Sequence, residues 1–334
     1  MDLGEALSLA GRPQSRREAA LLMGAIVSED TPDDGVAAIL TQLAQRPSSP
    51  EELAGYCDSL FERMVPISLG VGLVDTCGTG GGKPTPNVST VAALIAGAAG
   101  ARVAKHGNRA VTSAVGSADV LEALGVAASA TPQAKAKMIE EAGVCFLFAP
   151  DHHPALRRVG PIRRSLGFRT IFNQLGPLLN PARARVQITG VFDPALQRPT
   201  SSALEMLGGE RAAVVWHEDG YDEAMPFGRT RVLVTGQDAG DYEWGAGDFG
   251  VDSLDPAAIP APATAEEAAV LALEALTEPG SVACRVCLPT TGLALWLSGL
   301  AETPASGVAR ALEAVASGKA LASLEILRRL SHDS

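Results

Sequence analysis

Between Asp75 and Gly97 the chain reads DTCGTGGGKPTPNVSTVAALIAG, with glycines at 78, 80, 81 and 82 between a short apolar run and an Ala-rich helical stretch. Glycines let backbone N–H groups turn toward an anion, and the start of the helix that follows adds its positive dipole end. Two familiar patterns fail here. A phosphate loop needs G-x-x-x-x-G-K-[ST], but Gly82-Lys83 is followed by Pro84 and the earlier glycine would fall on Cys77. A dinucleotide fingerprint needs G-x-G-x-x-G, and Gly78 with Gly80 puts Lys83 at the third glycine. Anion binding survives as the common physics. Asn87, Ser89 and Thr90 then either cap the helix or contact a phosphate.

A second stretch, AKHGNRAVTSAVGSADVLEALG, brings Lys105, His106, Asn108 and Arg109 to the end of an apolar run. It then supplies Thr112, Ser113 and Ser117 ahead of another helix. Two hydroxyl-rich helix starts and a cationic loop make a cage for a diphosphate and a sugar phosphate. The acid pair Asp222-Glu223, in GYDE, follows a third apolar run and sits at a strand end. His152 and His153 are not by themselves a metal pair. Cys284 and Cys287 form one C-x-x-C without further ligands at matching spacing, so they read as buried thiols.

The elements that must hold these groups alternate. Thr31-Pro32, Ser49-Pro50 and Thr131-Pro132 each place a cap before proline at the first helical position. Asp33-Asp34 after the first of them suits the positive end of a helix dipole. From Leu73 onward LVD, ARVAKHG, VCFLFAP, VQITGVF, RAAVVWHE and RTRVLVTG are separated by helical segments. That pattern predicts an α/β fold with a mostly parallel central sheet. Ligands collect beyond the carboxyl ends of such strands, which picks out CGTGGGKPTPN, KHGNR, PDHHP and GYDE. From Thr264, with Glu267 in capping-box register, the chain reads as helical. Residues 1–69, with a segment near 155–173, predict a small helical domain; 70–154 and 174–334 predict the α/β domain.

The chain has 334 residues, a net charge of −11, 46% hydrophobic residues and 4% aromatics. The acidic balance argues against a nucleic-acid partner, since phosphate backbones are held by clustered Lys and Arg. No stretch reads as a signal peptide or a membrane span, and an odd count of 5 cysteines suits reduced thiols in the cytoplasm.

With D-x-x-GTGG…T-x-NVST, KHGNR…GSADVLEALG, IRRSLGFRTIFNQLGPLLNP and GYDE in this order, the chain resembles the anthranilate phosphoribosyltransferase family along essentially its whole length. The resemblance implies a nucleoside-phosphorylase-like fold and transfer of a phosphoribosyl group from 5-phosphoribosyl 1-diphosphate to the amine of anthranilate. That step belongs to tryptophan biosynthesis and uses Mg²⁺. It further implies that Gly78, Gly81, Gly82, Thr85, Asn87, Val88, Ser89 and Thr90 hold the donor, completed by Lys105, His106, Gly107, Asn108, Arg109, Thr112, Ser113 and Ser117. Ser89, Asp222 and Glu223 would serve Mg²⁺. Arg163 would face the anthranilate carboxylate, because a guanidinium fork meets a carboxylate bidentately. Gly78 and Asn108 would place the amine, and His153 and Pro177 would line the acceptor channel. Arg157, Arg158 and Arg164 read as solvated or helix-terminal. A homodimer is a family expectation.

The sequence departs from the family's pattern in four places. The aspartate that usually follows GTGG is missing, Pro86 precedes Asn87, Ala114-Val115 stands where a lysine is common, and Pro289-Thr290 replaces a Leu-Asn. These changes are expected to retune diphosphate or Mg²⁺ affinity without abolishing it, with Lys83 standing in for the absent cation. Other readings are a same-fold transferase with another aromatic acceptor, a pyrimidine nucleoside phosphorylase-like enzyme, or a non-catalytic binding protein.

Overall fold

The computed structural model describes residues 1–110 and 114–333. Four helices open the chain: α1 (Leu3–Ala10), α2 (Arg16–Val27), α3 (Asp33–Leu43) and α4 (Pro50–Phe61). Asp2, Ser15 and Ser49 cap α1, α2 and α4, each in a reciprocal capping box with the glutamate at the third helical position. Pro50 takes the first helical position of α4 as expected. The Thr31-Pro32 start is shifted by one residue. Pro32 itself occupies the cap of α3, and the Thr31 hydroxyl instead donates to the Ala25 carbonyl at the end of α2, 2.7 Å away.

Among the described residues the sheet has seven strands, in the order β3-β2-β1-β4-β5-β6-β7. These are β1 (Leu73–Asp75), β2 (Arg102–Gly107), β3 (Val144–Phe148), β4 (Val186–Gly190), β5 (Arg211–His217), β6 (Thr230–Thr235) and β7 (Gly240–Trp244). The first five run parallel, and β6 and β7 are antiparallel. This is the mostly parallel sheet that the alternation predicts. β7 escaped the sequence reading because GDYEW carries two acids among its five residues. It is a half-buried edge strand whose place is fixed by pairing with β6.

Between the parallel strands lie α5 (Val88–Ala98), α6 (Ser117–Ala123) and α7 (Pro132–Glu141). Thr131 caps α7, with Pro132 at its first position. Helix α5 is almost wholly buried, and its small side chains allow a close approach. A Cβ on Gly97 would sit 3.0 Å from the backbone of Gly143. The C-terminal helices complete the covering. At Thr264 the hydroxyl accepts from the Glu267 N–H, while the Glu267 carboxylate closes on the Ala263 N–H at 2.8 Å, one residue outside the box. Cys284 and Cys287 lie buried and unbridged in the helix Val282–Leu297, as the thiol reading expects.

Two apolar cores result. One surrounds the sheet and draws on Val74, Val103, Leu147, Ile188 and Leu295. The other joins α1–α4 to the helices Val159–Leu166 and Phe172–Leu175, through Leu22, Tyr56, Ile162 and Leu175. This second core also takes in Leu204 and Val214, so α1–α4 are anchored on the face of β5. No single helix among the described residues is long and apolar enough to cross a membrane.

Candidate active site

The four loops singled out by strand direction converge at the carboxyl ends of β1, β2, β3 and β5. They enclose a cleft of about 600 Å³. Every site residue expected from the sequence lines it except Val88, whose side chain is buried in the sheet's core, and Thr112 and Ser113, which lie outside the described residues.

Each group owes its position to a local device. Asn87 is not the side-chain cap of α5. It adopts a left-handed conformation with φ of 55°, and its amide donates to the Val115 carbonyl at 3.1 Å. The loop before α5 is thereby tied to the loop before α6, which leaves the first N–H groups of α5 without a capping side chain at the cleft. The side-chain oxygen of Asn87 is buried and, among the described residues, without a partner. Lys105 is buried near the end of β2 and donates to Ser89 Oγ at 3.2 Å, tying that strand end to the start of α5. Ser117 and Asn108 hold each other, the serine hydroxyl donating to the Asn108 carbonyl and accepting its N–H. Arg109 reaches the cleft wall, but its guanidinium is engaged by Glu122 and Asp119. Its charge is therefore largely compensated within the protein.

The acid pair faces the glycine loop. Burial pushes both carboxyls up, and Glu223, with Asp222 beside it, rises well above the ordinary range. Thr85 donates to Glu223 Oε1 at 3.1 Å, while Glu223 Oε2 is buried with no partner among the described residues. Two adjacent buried carboxylates with an unsatisfied oxygen are a donor set for a hard cation such as Mg²⁺. At Asp222 the N–H groups of Gly82 and Gly80 and the charge of Arg169 oppose the effect of burial. Contact is close. A Cβ on Gly82 would lie 2.3 Å from Asp222 Oδ1, and one on Gly190, at the end of β4, 1.5 Å from the Asp222 carbonyl oxygen. Glycine is required at both places for the acid loop to pass.

At the other end Arg163 projects from the helix Val159–Leu166 into the cleft. Its Nη2 is 3.4 Å from Asn173 Oδ1, and its guanidinium lies 5.4 Å from the Phe172 ring centre. Burial alone shifts its pKa, downward, and no acid among the described residues compensates its charge. His106 and His153 pack edge to face at 5.2 Å. Burial lowers both, His153 to about 4, so both rings are neutral at pH 7. The His153 ring nitrogen Nε2 meets the Leu179 carbonyl, and His106 Nδ1 meets that of Gly176, next to Pro177. Arg158 is held by the Ser28 and Thr31 carbonyls and by Asp33, away from the cleft.

Several residues that the sequence reading did not single out belong here. Asp75 lies fully buried beneath the loop, accepting from the His106 N–H at 3.1 Å and from Asn180 Nδ2 at 2.8 Å. Its carboxyl is pushed up to about 6 by burial. Thr290, in the second half of the Pro289-Thr290 departure, lines the cleft. Arg169 crosses to the glycine loop and donates to the Gly81 carbonyl at 2.6 Å. The segment IRRSLGFRT contained that arginine, but nothing in its spacing separated it from its solvated neighbours.

Comparison with known proteins agrees along the full chain. The glycosyl transferase family, a/b domain, matches residues 70–321. Anthranilate phosphoribosyltransferase from Rubrobacter xylanophilus is 43% identical over 333 residues, covering 98% of this chain and 97% of that protein. The enzyme from Syntrophomonas wolfei is 42% identical over 324 residues, covering 95% and 93%. Among solved structures, anthranilate phosphoribosyltransferase from Thermus thermophilus superposes with a TM-score of 0.92 at 38% identity, covering 100% of both chains. The Saccharomyces cerevisiae enzyme in complex with 5-phosphoribosyl 1-diphosphate and Mg gives 0.85 at 27% identity, covering 95% of this chain and 92% of that one. With relatives 42–43% identical over 95–98% of its length, the chain belongs to the anthranilate phosphoribosyltransferase family.

Proposed function

We propose that this chain transfers the 5-phosphoribosyl group of 5-phosphoribosyl 1-diphosphate to the amine of anthranilate, giving N-(5-phosphoribosyl)anthranilate and diphosphate. The observation that carries the reading is polarity along a single cleft. One end offers glycine N–H groups, the start of α5 and Lys105, which suit phosphates; the other offers Arg163 beside neutral rings, which suit an aromatic acid. A rival using inorganic phosphate and a nucleoside would not need the long acidic and glycine-rich end.

In this reading the N–H groups of the 78–82 loop and of α5 hold the diphosphate, with Lys105 and Ser89 between it and the ribose. Asn108, Gly107 and Ser117 form the wall of the donor pocket. Ser89, Asp222 and Glu223 hold Mg²⁺, whose role is to neutralise charge on the departing diphosphate. Arg163 takes the anthranilate carboxylate, Pro177, His153 and His106 flank its ring, and Asn108 and Gly78 aim the amine at the anomeric carbon. Breaking the ribose–diphosphate bond leaves a cation-like sugar that the neutral amine attacks. An aromatic amine carries its lone pair at pH 7, so no strong base is required before attack, and the proton shed once the C–N bond has formed goes to the departing diphosphate or to water. The two histidines act by shape and not by proton transfer. The protein supplies position and preset electrostatics.

We keep the division into a helical domain, residues 1–69 with 155–173, and an α/β domain, 70–154 with 174–334, with substrates meeting between them. The second core supports the joining of 1–69 to 155–173 but also draws on Leu175, Leu204 and Val214. A homodimer and a cytoplasmic setting complete the proposal. The test follows anthranilate fluorescence with purified protein, donor and Mg²⁺. Loss of signal that needs all three, and that fails in Arg163→Ala and in Asp222→Asn with Glu223→Gln, is expected. Donor binding by calorimetry without consumption of anthranilate would point to another acceptor. No donor binding at all would refute the reading.

A further inference from the structure

Arg169 reaches the glycine loop by a local device. The helix Val159–Leu166 ends at Gly167, whose φ of 69° turns the chain back, and the Thr170 N–H is fixed by Asn173 Oδ1 at 3.1 Å. The same Asn173 oxygen contacts Arg163. Arg169 is thereby thrown across the cleft mouth, where its guanidinium lies 4.1 Å from the centre of the Phe192 ring just beyond β4. From that platform it donates to the Gly81 carbonyl at 2.6 Å. Gly80 and Gly81 have φ of 65° and 89°, a backbone that glycine enters freely and also leaves freely. Something must select the one conformation in which the neighbouring N–H groups of Gly80 and Gly82 face Asp222. Lys83 N–H to Gly220 O, at 3.1 Å, ties the far end of the loop. Arg169 ties its middle.

We propose that Arg169 is a positioning residue: by gripping the Gly81 carbonyl from the Phe192 platform, it holds the glycine loop against Asp222 and so sets the carboxylate that serves Mg²⁺. The proposal rests on the reading of Asp222 as part of the Mg²⁺ site. It gives Arg169 a role through the loop backbone, apart from the substrate contacts assigned above. It also explains how a loop that lacks the usual aspartate keeps its shape. Arginine is needed rather than lysine, because only a planar guanidinium both stacks on the ring and donates sideways to the carbonyl.

The experiment measures Mg²⁺-dependent binding of inorganic diphosphate and of the donor by calorimetry, alongside steady-state kinetics for both substrates. Arg169→Ala is expected to raise the Mg²⁺ concentration for half-maximal binding and the donor KM by about tenfold, the effect of losing one charged hydrogen bond and the loop order it imposes. The anthranilate KM should stay within about twofold, since an ordinary structural defect would move both constants and this role moves one. Arg169→Lys should recover little, and Phe192→Leu should shift the same constants by a smaller factor. The double variant Arg169→Ala/Phe192→Leu should be no worse than Arg169→Ala alone, because both act on one contact. Unchanged Mg²⁺ and donor constants in Arg169→Ala, full recovery by lysine, or an equal rise in the anthranilate KM would each overturn the proposal. Asp222→Asn serves as the control. If it leaves Mg²⁺ dependence untouched, the metal assignment itself fails; if it shifts and Arg169→Ala does not, only the role of Arg169 fails.

Discussion

Replacing Arg163 with methionine should impair acceptor binding without weakening the fold. This guanidinium is largely desolvated, no acid among the described residues offsets its charge, and its side-chain polar contact is a neutral amide oxygen at 3.4 Å. Burying an uncompensated charge costs stability, so a flexible apolar side chain of similar length should leave the protein equally stable or up to about 1 kcal/mol more stable. For a chain of this size that is a Tm rise of at most about 2 °C. Toward anthranilate the sign reverses. Truncating one member of a desolvated charge pair costs roughly 2–5 kcal/mol. At about 3 kcal/mol, with 1.36 kcal/mol per decade, kcat/KM for anthranilate falls roughly 150-fold while the donor KM barely moves. Arg163→Lys keeps the charge without the fork and should fall between, about tenfold below the parent. The assays are thermal unfolding without substrates and initial rates from anthranilate fluorescence. A Tm loss of several degrees in Arg163→Met would make the arginine a structural residue. An unchanged anthranilate KM would place the acceptor carboxylate elsewhere.

Glu223 titrates above the ordinary carboxylate range because of burial and Asp222, so the folded metal-free protein binds a proton that the unfolded chain has released. Its stability should therefore fall as pH rises from the unfolded carboxylate pKa through the raised folded value, and Glu223→Gln should flatten that decline in a series of melts. Mg²⁺ should restore more stability at pH 8 than at pH 5, measured as a Tm shift; an equal shift at both would argue against this pair as its ligands. Asp75→Asn should lower Tm, costing about 1–3 kcal/mol, because one of the two donors now satisfied, the His106 N–H or the Asn180 amide, would meet an amide NH₂. With His153 lowered to about 4, its protonation lies below the working range. An acid limb of kcat between pH 5 and 7 should then persist unchanged in His153→Asn, while the anthranilate KM rises severalfold.

Much of the site was legible because its signals are local. Glycine freedom, helix starts and strand ends act over a few residues, so GTGGG and KHGNR suggested anion binding from the residues alone, whereas a cation role for Asp222-Glu223 came only with the family resemblance. The run of short apolar segments between helices likewise pointed to a mostly parallel sheet. What failed was also local in kind but decided at longer range. Asn87 has the chemistry of a helix cap, yet its amide is taken by the Val115 carbonyl 28 residues on, and its backbone turns left-handed instead. Thr31 gives its hydroxyl to the preceding helix and leaves the cap to Pro32.

The sequence by itself determined which residue types are present, how the chain alternates and which loops fall at one edge of the sheet. Only the tertiary structure decided which charges remain uncompensated. Arg109, Arg158, Arg163 and Arg169 are equal in a string of letters. Folding sends the first to Glu122, the second to Asp33 and two carbonyls, and the fourth to Gly81, and leaves Arg163 in the cleft with no acid beside it among the described residues. Electrostatic role depends on distance and solvent exposure between groups far apart in the chain, and neither quantity is written in spacing. The same holds for Gly82, whose missing side chain is explained by an Asp222 carboxylate that sits where a Cβ would be.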